Sequence, residues 1–143
     1  MFEAVGEAYW ADYFATLARC LKPGARACVQ TITIADELFD AYRSGSDFIQ
    51  QYIFPGGMLP SRAAFTAAAA QAGLRIVDSF DFGRDYGRTL KVWRDRFVAV
   101  RGALGKLGFD ARFERTWLFY LCYCEAGFRS GATNVYQFTL THA

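Results

Sequence analysis

Between Glu7 and Ile34 the chain reads as helix, turn and strand in immediate succession, and that succession limits the fold more than any other feature. Trp10, Phe14, Leu17 and Leu21 recur at offsets of four, seven and eleven, which puts them on one helical face. Lys22-Pro23-Gly24 ends the helix. Arg26 to Ile34 follows, rich in β-branched residues and about one strand long. A helix that a Pro-Gly turn returns into a buried strand is the closing half of an α/β unit, in which helices cover a sheet.

The alternation continues. Asp36 to Phe54 predicts a helical stretch interrupted near Ser44-Gly45-Ser46, and Pro55-Gly56-Gly57 breaks the chain. Ser61 is placed to cap an alanine-rich helix ending at Gly73, and Leu74 to Phe80 reads as a strand. Gly83-Arg84-Asp85-Tyr86-Gly87 reads as a short polar loop, with Asp85 a turn former or a cap for the segment starting near Arg88. Beyond it Trp93, Phe97, Val100, Leu104 and Leu107 step by four and three along a long helix. Asp110 caps a further helix through Phe128, with Phe113, Trp117, Tyr120 and Cys124 on one face, and Asn134 to Thr141 alternates as a third strand. Three strands are few for a self-sufficient α/β domain of 143 residues, because parallel sheets need both faces covered and more neighbours. The missing part is expected ahead of Met1, since the chain opens into a helix with no strand before it.

Composition narrows the function. A chain of 143 residues with 53% hydrophobic residues holds one core. A net charge of +2 speaks against binding a nucleic-acid backbone. The cysteines Cys20, Cys28, Cys122 and Cys124 form no Cys-x-x-Cys pair, and His142 is the one histidine, so neither a zinc site nor a disulfide framework is expected. No run of about 18 apolar residues occurs, and Met1-Phe2-Glu3-Ala4-Val5 carries no basic lead into an apolar stretch. The expectation is a soluble, cytoplasmic protein whose weak basic bias is compatible with an anionic membrane surface. An aromatic share of 17% means either a ring-rich core or rings lining a pocket for something apolar.

Met1-Phe2-Glu3-Ala4-Val5-Gly6, Leu21-Lys22-Pro23-Gly24, Val29-Gln30-Thr31-Ile32, Tyr52-Ile53-Phe54-Pro55-Gly56-Gly57-Met58-Leu59-Pro60-Ser61 and Phe82-Gly83-Arg84-Asp85-Tyr86 occur in that order. So does Leu121-Cys122-Tyr123-Cys124-Glu125-Ala126-Gly127-Phe128 near the end. Together they resemble the C-terminal half of the cyclopropane-fatty-acyl-phospholipid synthases and mycolic acid cyclopropane synthases. The resemblance implies an α/β fold, the C-terminal portion of a class I, Rossmann-like methyltransferase with helical insertions. Residues 1–143 would supply about the last three strands of a doubly wound sheet, the final ones forming an antiparallel edge pair. The glycine-rich turn and acidic ribose partner that hold S-adenosylmethionine would precede Met1, since no Gly-x-Gly occurs in the chain. No cofactor-binding or metal-binding residue is assigned within it.

The same resemblance implies methyl transfer from S-adenosylmethionine to the double bond of an unsaturated phospholipid acyl chain, a bound bicarbonate removing a proton as a cyclopropane closes. By motif, the bicarbonate cage falls on Glu3, Tyr86, the backbone of Ile32 and Gln30, which stands where the family has histidine; a family cysteine lies upstream. Glu3 and Tyr86 are the catalytic candidates, with Glu3 relaying the proton if burial raises its pKa. Each residue has a plainer reading: a first-turn carboxylate favoured by the helix dipole, a half-exposed loop tyrosine, and a buried strand glutamine satisfied by neighbouring backbone. Gln30 matters most, because an amide donates and accepts but takes up no proton near neutral pH.

The alternative product is therefore a methyl- or methylene-branched chain. The alternative roles are a non-catalytic acyl-binding or partner module and an inactive fragment. Tyr52 and Phe54 are candidates for the lipid side, while most of Tyr52, Phe54, Phe80, Phe82, Trp117, Phe119 and Tyr120 are expected in the core. Arg84, Arg88, Lys91, Arg94 and Arg96 either meet phospholipid headgroups or form a solvated helix face. The expected partners are unsaturated acyl chains at a membrane surface, with a homodimer or pairing with the missing half, and no nucleic acid.

Overall fold

Two strands, β1 (Ala27–Ile34) and β2 (Leu74–Asp81), both pair antiparallel with β3 (Thr133–His142), giving a sheet in the order β1-β3-β2. The structure, a computed structural model, describes residues 2–143. It divides into two units, the chain through Phe82 together with Thr133–Ala143, and Gly83–Ala132. The sheet lies in the first. β2 and β3 form the expected antiparallel edge pair, and β1, which runs parallel to β2, lies on the other side of β3.

Aromatic burial holds this unit together. α1 (Phe2–Val5) leads through a 3-10 turn at Glu7–Tyr9 into α2 (Trp10–Cys20). α5 (Arg62–Gln71) begins at Ser61, whose Oγ accepts the Ala64 N–H at 3.2 Å, so the cap forms as expected. Phe65 on α5 is fully buried, its ring 4.4 Å from Phe138, 5.0 Å from Phe14 and 5.1 Å from Phe2. Val29, Phe138 and Leu140 bring the sheet into the same cluster, and the small Ala69 is buried beside them. Burying side chains of this size contributes about 2–3 kcal/mol each. Between β1 and α5 lie a 3-10 turn (Asp36–Leu38), α3 (Phe39–Ser44) and α4 (Phe48–Tyr52). The break after Ser44 matches the interruption expected there. α4 restarts on a capping box in which Asp47 Oδ1 accepts the Gln50 N–H at 2.9 Å and Gln50 Oε1 accepts the Asp47 N–H at 3.1 Å.

The second unit is a helical hairpin of α6 (Gly83–Val100) and α7 (Ala111–Ser130). Asp110 Oδ1 caps α7 through the Phe113 N–H at 2.7 Å. Two expectations fail here. The Gly83–Gly87 segment is the first turn of α6, not a loop, and its glycines mark close helix packing: a Cβ on Gly87 would lie 3.4 Å from Arg129 Cγ and 3.6 Å from Phe128 Cβ. Likewise, the stripe from Trp93 to Leu107 is not one buried helical face. α6 gives way after Val100 to a 3-10 turn, Arg101–Leu107, which changes the period, and Trp93, Val100 and Leu107 are exposed.

Candidate functional site

Glu3 Oε1 accepts the backbone N–H of Ile32 at 2.6 Å. In an antiparallel ladder successive residues turn their backbone groups alternately toward and away from the partner strand. Ile32 and Ile34 both donate outside the sheet, Ile34 to the Pro60 carbonyl at 3.0 Å. The Glu3 segment and the loop before Ser61 therefore line the same edge of β1, and they are joined to each other, since the Met58 N–H donates to the Glu3 carbonyl at 2.8 Å.

That approach explains the Pro-Gly-Gly block. A Cβ on Gly57 would stand 3.1 Å from the Phe54 carbonyl oxygen and 3.4 Å from that of Glu3, and one on Gly6 would stand 3.2 Å from the Gly56 carbonyl. Gly6 also has φ +78°, a conformation that side chains disfavour. Gln50 Nε2 donates to the Gly57 carbonyl at 3.2 Å, and the Tyr42 hydroxyl receives the Leu59 N–H at 3.4 Å. The loop is thus pinned from α3 and α4 on one side and from Glu3 on the other.

Electrostatics assign Glu3 its charge state. Burial pushes its carboxyl up, but the N–H of Ile32 and other hydrogen bonds to the carboxylate, its own backbone N–H among them, hold it below the usual range. The condition for proton relay by Glu3, a pKa raised by burial, is not met; Glu3 is an ionised acceptor near neutral pH. Tyr13 responds in the opposite direction, its phenol raised by burial and then by the Glu3 charge, so it stays a neutral donor. Tyr13 had no place among the sequence candidates. It falls between the Trp10 and Phe14 positions of the apolar stripe, and only its spacing of four from Leu17 hinted at a shared strip. With Val5, Tyr9 and Leu17 it lines a mostly apolar groove of about 510 Å³ along α2.

Gln30 is exposed, not buried. Val29, Thr31 and Thr33 point into the core, which leaves Gln30 and Ile32 on the opposite face of β1. Across the ladder Gln30 faces Gln137, whose Nε2 donates to Gln30 Oε1 at 3.0 Å. Tyr86 lies in the first turn of α6, half-buried, with its ring 5.4 Å from that of Phe128. The structure thus brings Glu3 and Ile32 into contact and sets Gln30 on the face of Ile32, while Tyr86 is part of the hairpin unit.

Tyr52 and Phe54 flank the Pro-Gly-Gly turn at 61% and 57% exposure. Of the seven aromatics expected mostly in the core, none is fully buried: Phe80 and Phe119 are exposed, and Phe82, Trp117 and Tyr120 are half-buried. The core fills instead with Phe2, Phe14, Phe65 and Phe138, whose rings face one another across α1, α2, α5 and β3. The basic series on α6 is partly neutralised, with Arg88 on Asp85 at 3.1 Å, Lys91 on Asp95 at 2.6 Å and Arg94 on the buried Glu125 at 2.7 Å. Asp85 makes an exposed ion pair within the helix and is not its cap.

No described strand opens into a Gly-x-Gly turn; β1 runs into the 3-10 turn at Asp36–Leu38.

The mycolic acid cyclopropane synthetase family profile matches residues 1–138. Tuberculostearic acid methyltransferase of Mycobacterium tuberculosis is 48% identical over 141 residues, which is 98% of this chain and 33% of that protein. Cyclopropane-fatty-acyl-phospholipid synthase of Escherichia coli is 32% identical over 137 residues, 96% of this chain and 34% of the relative. The solved structure of mycolic acid cyclopropane synthase CmaA1, complexed with SAH and CTAB, superposes with a TM-score of 0.85 at 26% identity, covering 97% of this chain and 52% of that one. The chain spans about a third of the length of these curated relatives and about half of the solved structure.

Proposed function

The chain belongs to the mycolic acid cyclopropane synthetase family of S-adenosylmethionine-dependent methyltransferases, and from that premise we propose that it forms the acyl-facing part of an enzyme that methylates a double bond in unsaturated phospholipid chains. The observation that carries this reading is the ionised Glu3, fixed by Ile32 beside Tyr13 and the apolar groove on α2. When bound, S-adenosylmethionine supplies an electrophilic methyl group. The work of this chain is to hold the alkene and to manage the proton that must leave after methyl addition.

Bicarbonate fits that second task through Glu3. An ionised carboxylate accepts the hydroxyl hydrogen of bicarbonate, which orients the anion's remaining oxygens toward the charge that develops on the acyl chain. Ile32 acts through Glu3, because its N–H already holds the carboxylate. In the proposed cage the Tyr86 hydroxyl and the Gln30 amide donate to the anion. Tyr52 and Phe54, exposed beside the loop that touches Glu3, face the lipid. The substrate's location implies an enzyme that works at the membrane surface, and no helix among the described residues is long and apolar enough to cross a membrane.

A second reading concerns the product, and Gln30 favours it. Methyl addition to one alkene carbon leaves positive charge on its neighbour. Loss of a proton from the new methyl group with carbon–carbon bond formation closes a ring. If a hydride first shifts to the charged carbon, loss of the same proton gives a methylene branch, and a saturated methyl branch then requires a separate hydride donor. An amide at position 30 cannot take up the proton that a histidine could, so proton loss from the methyl group is slowed, the hydride shift runs ahead of ring closure, and we propose the branched outcome. The relative at 48% identity is a tuberculostearic acid methyltransferase, which fits this choice.

The test is product analysis. The longer protein that contains this chain is incubated with methyl-labelled S-adenosylmethionine and dioleoyl phospholipid, and the released acyl chains are separated by mass spectrometry. Labelled methylene-branched chains are expected, and saturated methyl-branched chains once a hydride donor such as a reduced nicotinamide is added. Cyclopropane as the one product would overturn the branched reading, and unlabelled lipid would overturn the enzymatic one.

A further inference from the structure

We propose that the tip of the α6–α7 hairpin is a docking element for anionic phospholipid bilayers, with Leu107 and Phe109 entering the headgroup layer and the surrounding cations meeting lipid phosphates. The tip is a closed turn. The Gly108 N–H donates to the Gly105 carbonyl at 3.2 Å, the Phe109 N–H to the Leu104 carbonyl at 3.2 Å, and Gly108 has φ +87°. This geometry drives apolar residues outward: Val100 is 56% exposed, Leu107 71% and Phe109 43%. Phe109 is held rigidly by stacking on Phe113 at 4.4 Å, which in turn stacks on Trp117 at 5.8 Å. A rigid apolar projection is costly in water and is stabilised at an acyl boundary.

Charge selects the partner. Ten of the chain's 16 Lys and Arg residues lie in Gly83–Ala132, against five of its 14 Asp and Glu, leaving this unit at +5 and the rest of the chain at −3. Around the tip, Arg96, Lys106, Arg112 and Arg115 have no ion-pair partner among the described residues. The nearby acids are already engaged, Asp110 as the α7 cap and Glu114 with Arg101 at 3.6 Å. Unpaired cations ringing an outward Leu and Phe match an anionic lipid surface, which offers phosphates at the rim and hydrocarbon beneath. An acidic protein would satisfy the cations and leave Leu107 without a use.

The inference rests on the reading that the substrate is a membrane lipid, but it is tested apart from catalysis. The 143-residue chain is sedimented with vesicles of phosphatidylcholine alone and with about one quarter phosphatidylglycerol. Binding is expected with the anionic vesicles, falling as salt rises. Lys106→Gln and Arg112→Gln should each weaken it about fivefold, and Leu107→Ser with Phe109→Ser about tenfold. All four positions are exposed, and circular dichroism checks that the variants stay folded. Leu107→Trp should be quenched by brominated acyl chains. Equal binding to neutral vesicles, or loss through the charge variants with no effect of the Leu107 and Phe109 changes and no quenching, would overturn the proposal, the second result marking a surface for an acidic protein. A full-length protein that binds vesicles without methylating lipid would sink the enzymatic reading alone.

Discussion

The backbone N–H of Ile32 sits 2.6 Å from Glu3 Oε1 and ties the first short helix to the edge of β1. A hydrogen bond to a charged acceptor is short and about twice as strong as a neutral one. Glu3→Gln keeps the shape and removes the charge, so it is expected to lower stability at neutral pH by about 1–2 kcal/mol in urea titrations. The pH dependence has a definite sign. The folded carboxyl titrates below its ordinary value of 4.5, so its contribution is fully present above that value and is lost as pH falls through the depressed folded one. The difference between wild type and Glu3→Gln should therefore close in acid; a difference independent of pH would show that the charge plays no part.

Phe65 predicts the largest loss. Its ring meets Phe138, Phe14 and Phe2 at once, linking α5, the sheet and the two N-terminal helices. Phe65→Ala should cost about 3–5 kcal/mol, and Phe65→Leu less, since more of the volume is kept. Thermal denaturation of both variants measures this, and a loss under about 1 kcal/mol for the alanine would mean that the cluster collapses around the void.

Much of this architecture is legible in the sequence because it is written in local chemistry. Ser61 and Asp110 precede apolar runs and cap the helices they begin, and Gly73 ends α5 with φ +72°. The contact of Glu3 with Ile32, 29 positions apart, was foreshadowed only by family motifs; periodicity carries no information about it. Gln30 has two readings in the sequence, a cage residue or a buried strand amide, and side-chain polarity does not assign its face, because the polar Thr31 and Thr33 fill the core side of β1 while Ile32 shares the face of Gln30. The α6 stripe failed for a different reason. Helical spacing states which residues share a face, but not whether anything covers that face, and Trp93 and Leu107 remain exposed.

Glu125 should behave as the clamp of the hairpin. It is buried in α7, 2.7 Å from Arg94 Nη1 on α6 and 2.8 Å from Arg129 Nε one turn onward. Arg129 in turn lies against Gly87, one residue from Tyr86. Removing the carboxylate leaves two cations facing each other, but both guanidinium groups are partly in water, which softens the penalty. Glu125→Gln is expected to cost about 1–2 kcal/mol, read by guanidinium titration. Gly87→Leu should cost more, because its side chain meets Phe128 and Arg129. A neutral Glu125→Gln would assign the hairpin's stability to Leu90, Leu121 and Phe128 alone.

Gln30→His in the full-length protein tests the product reading most sharply. The position is exposed and its neighbour Gln137 can hydrogen-bond an imidazole as readily as an amide, so the fold should tolerate the change. The substitution adds a group that titrates near pH ~6.5 beside Ile32. If slow proton removal at Gln30 is what lets the hydride shift precede ring closure, the variant should divert part of the product from branched chain to cyclopropane. That share should follow the neutral imidazole, rising as pH passes upward through its pKa. Glu3→Gln should abolish the diversion while leaving the imidazole in place, because the anion that passes the proton is held by the Glu3 charge. A product ratio that is unchanged at every pH would remove Gln30 from the reaction and leave it as one half of a cross-strand amide pair.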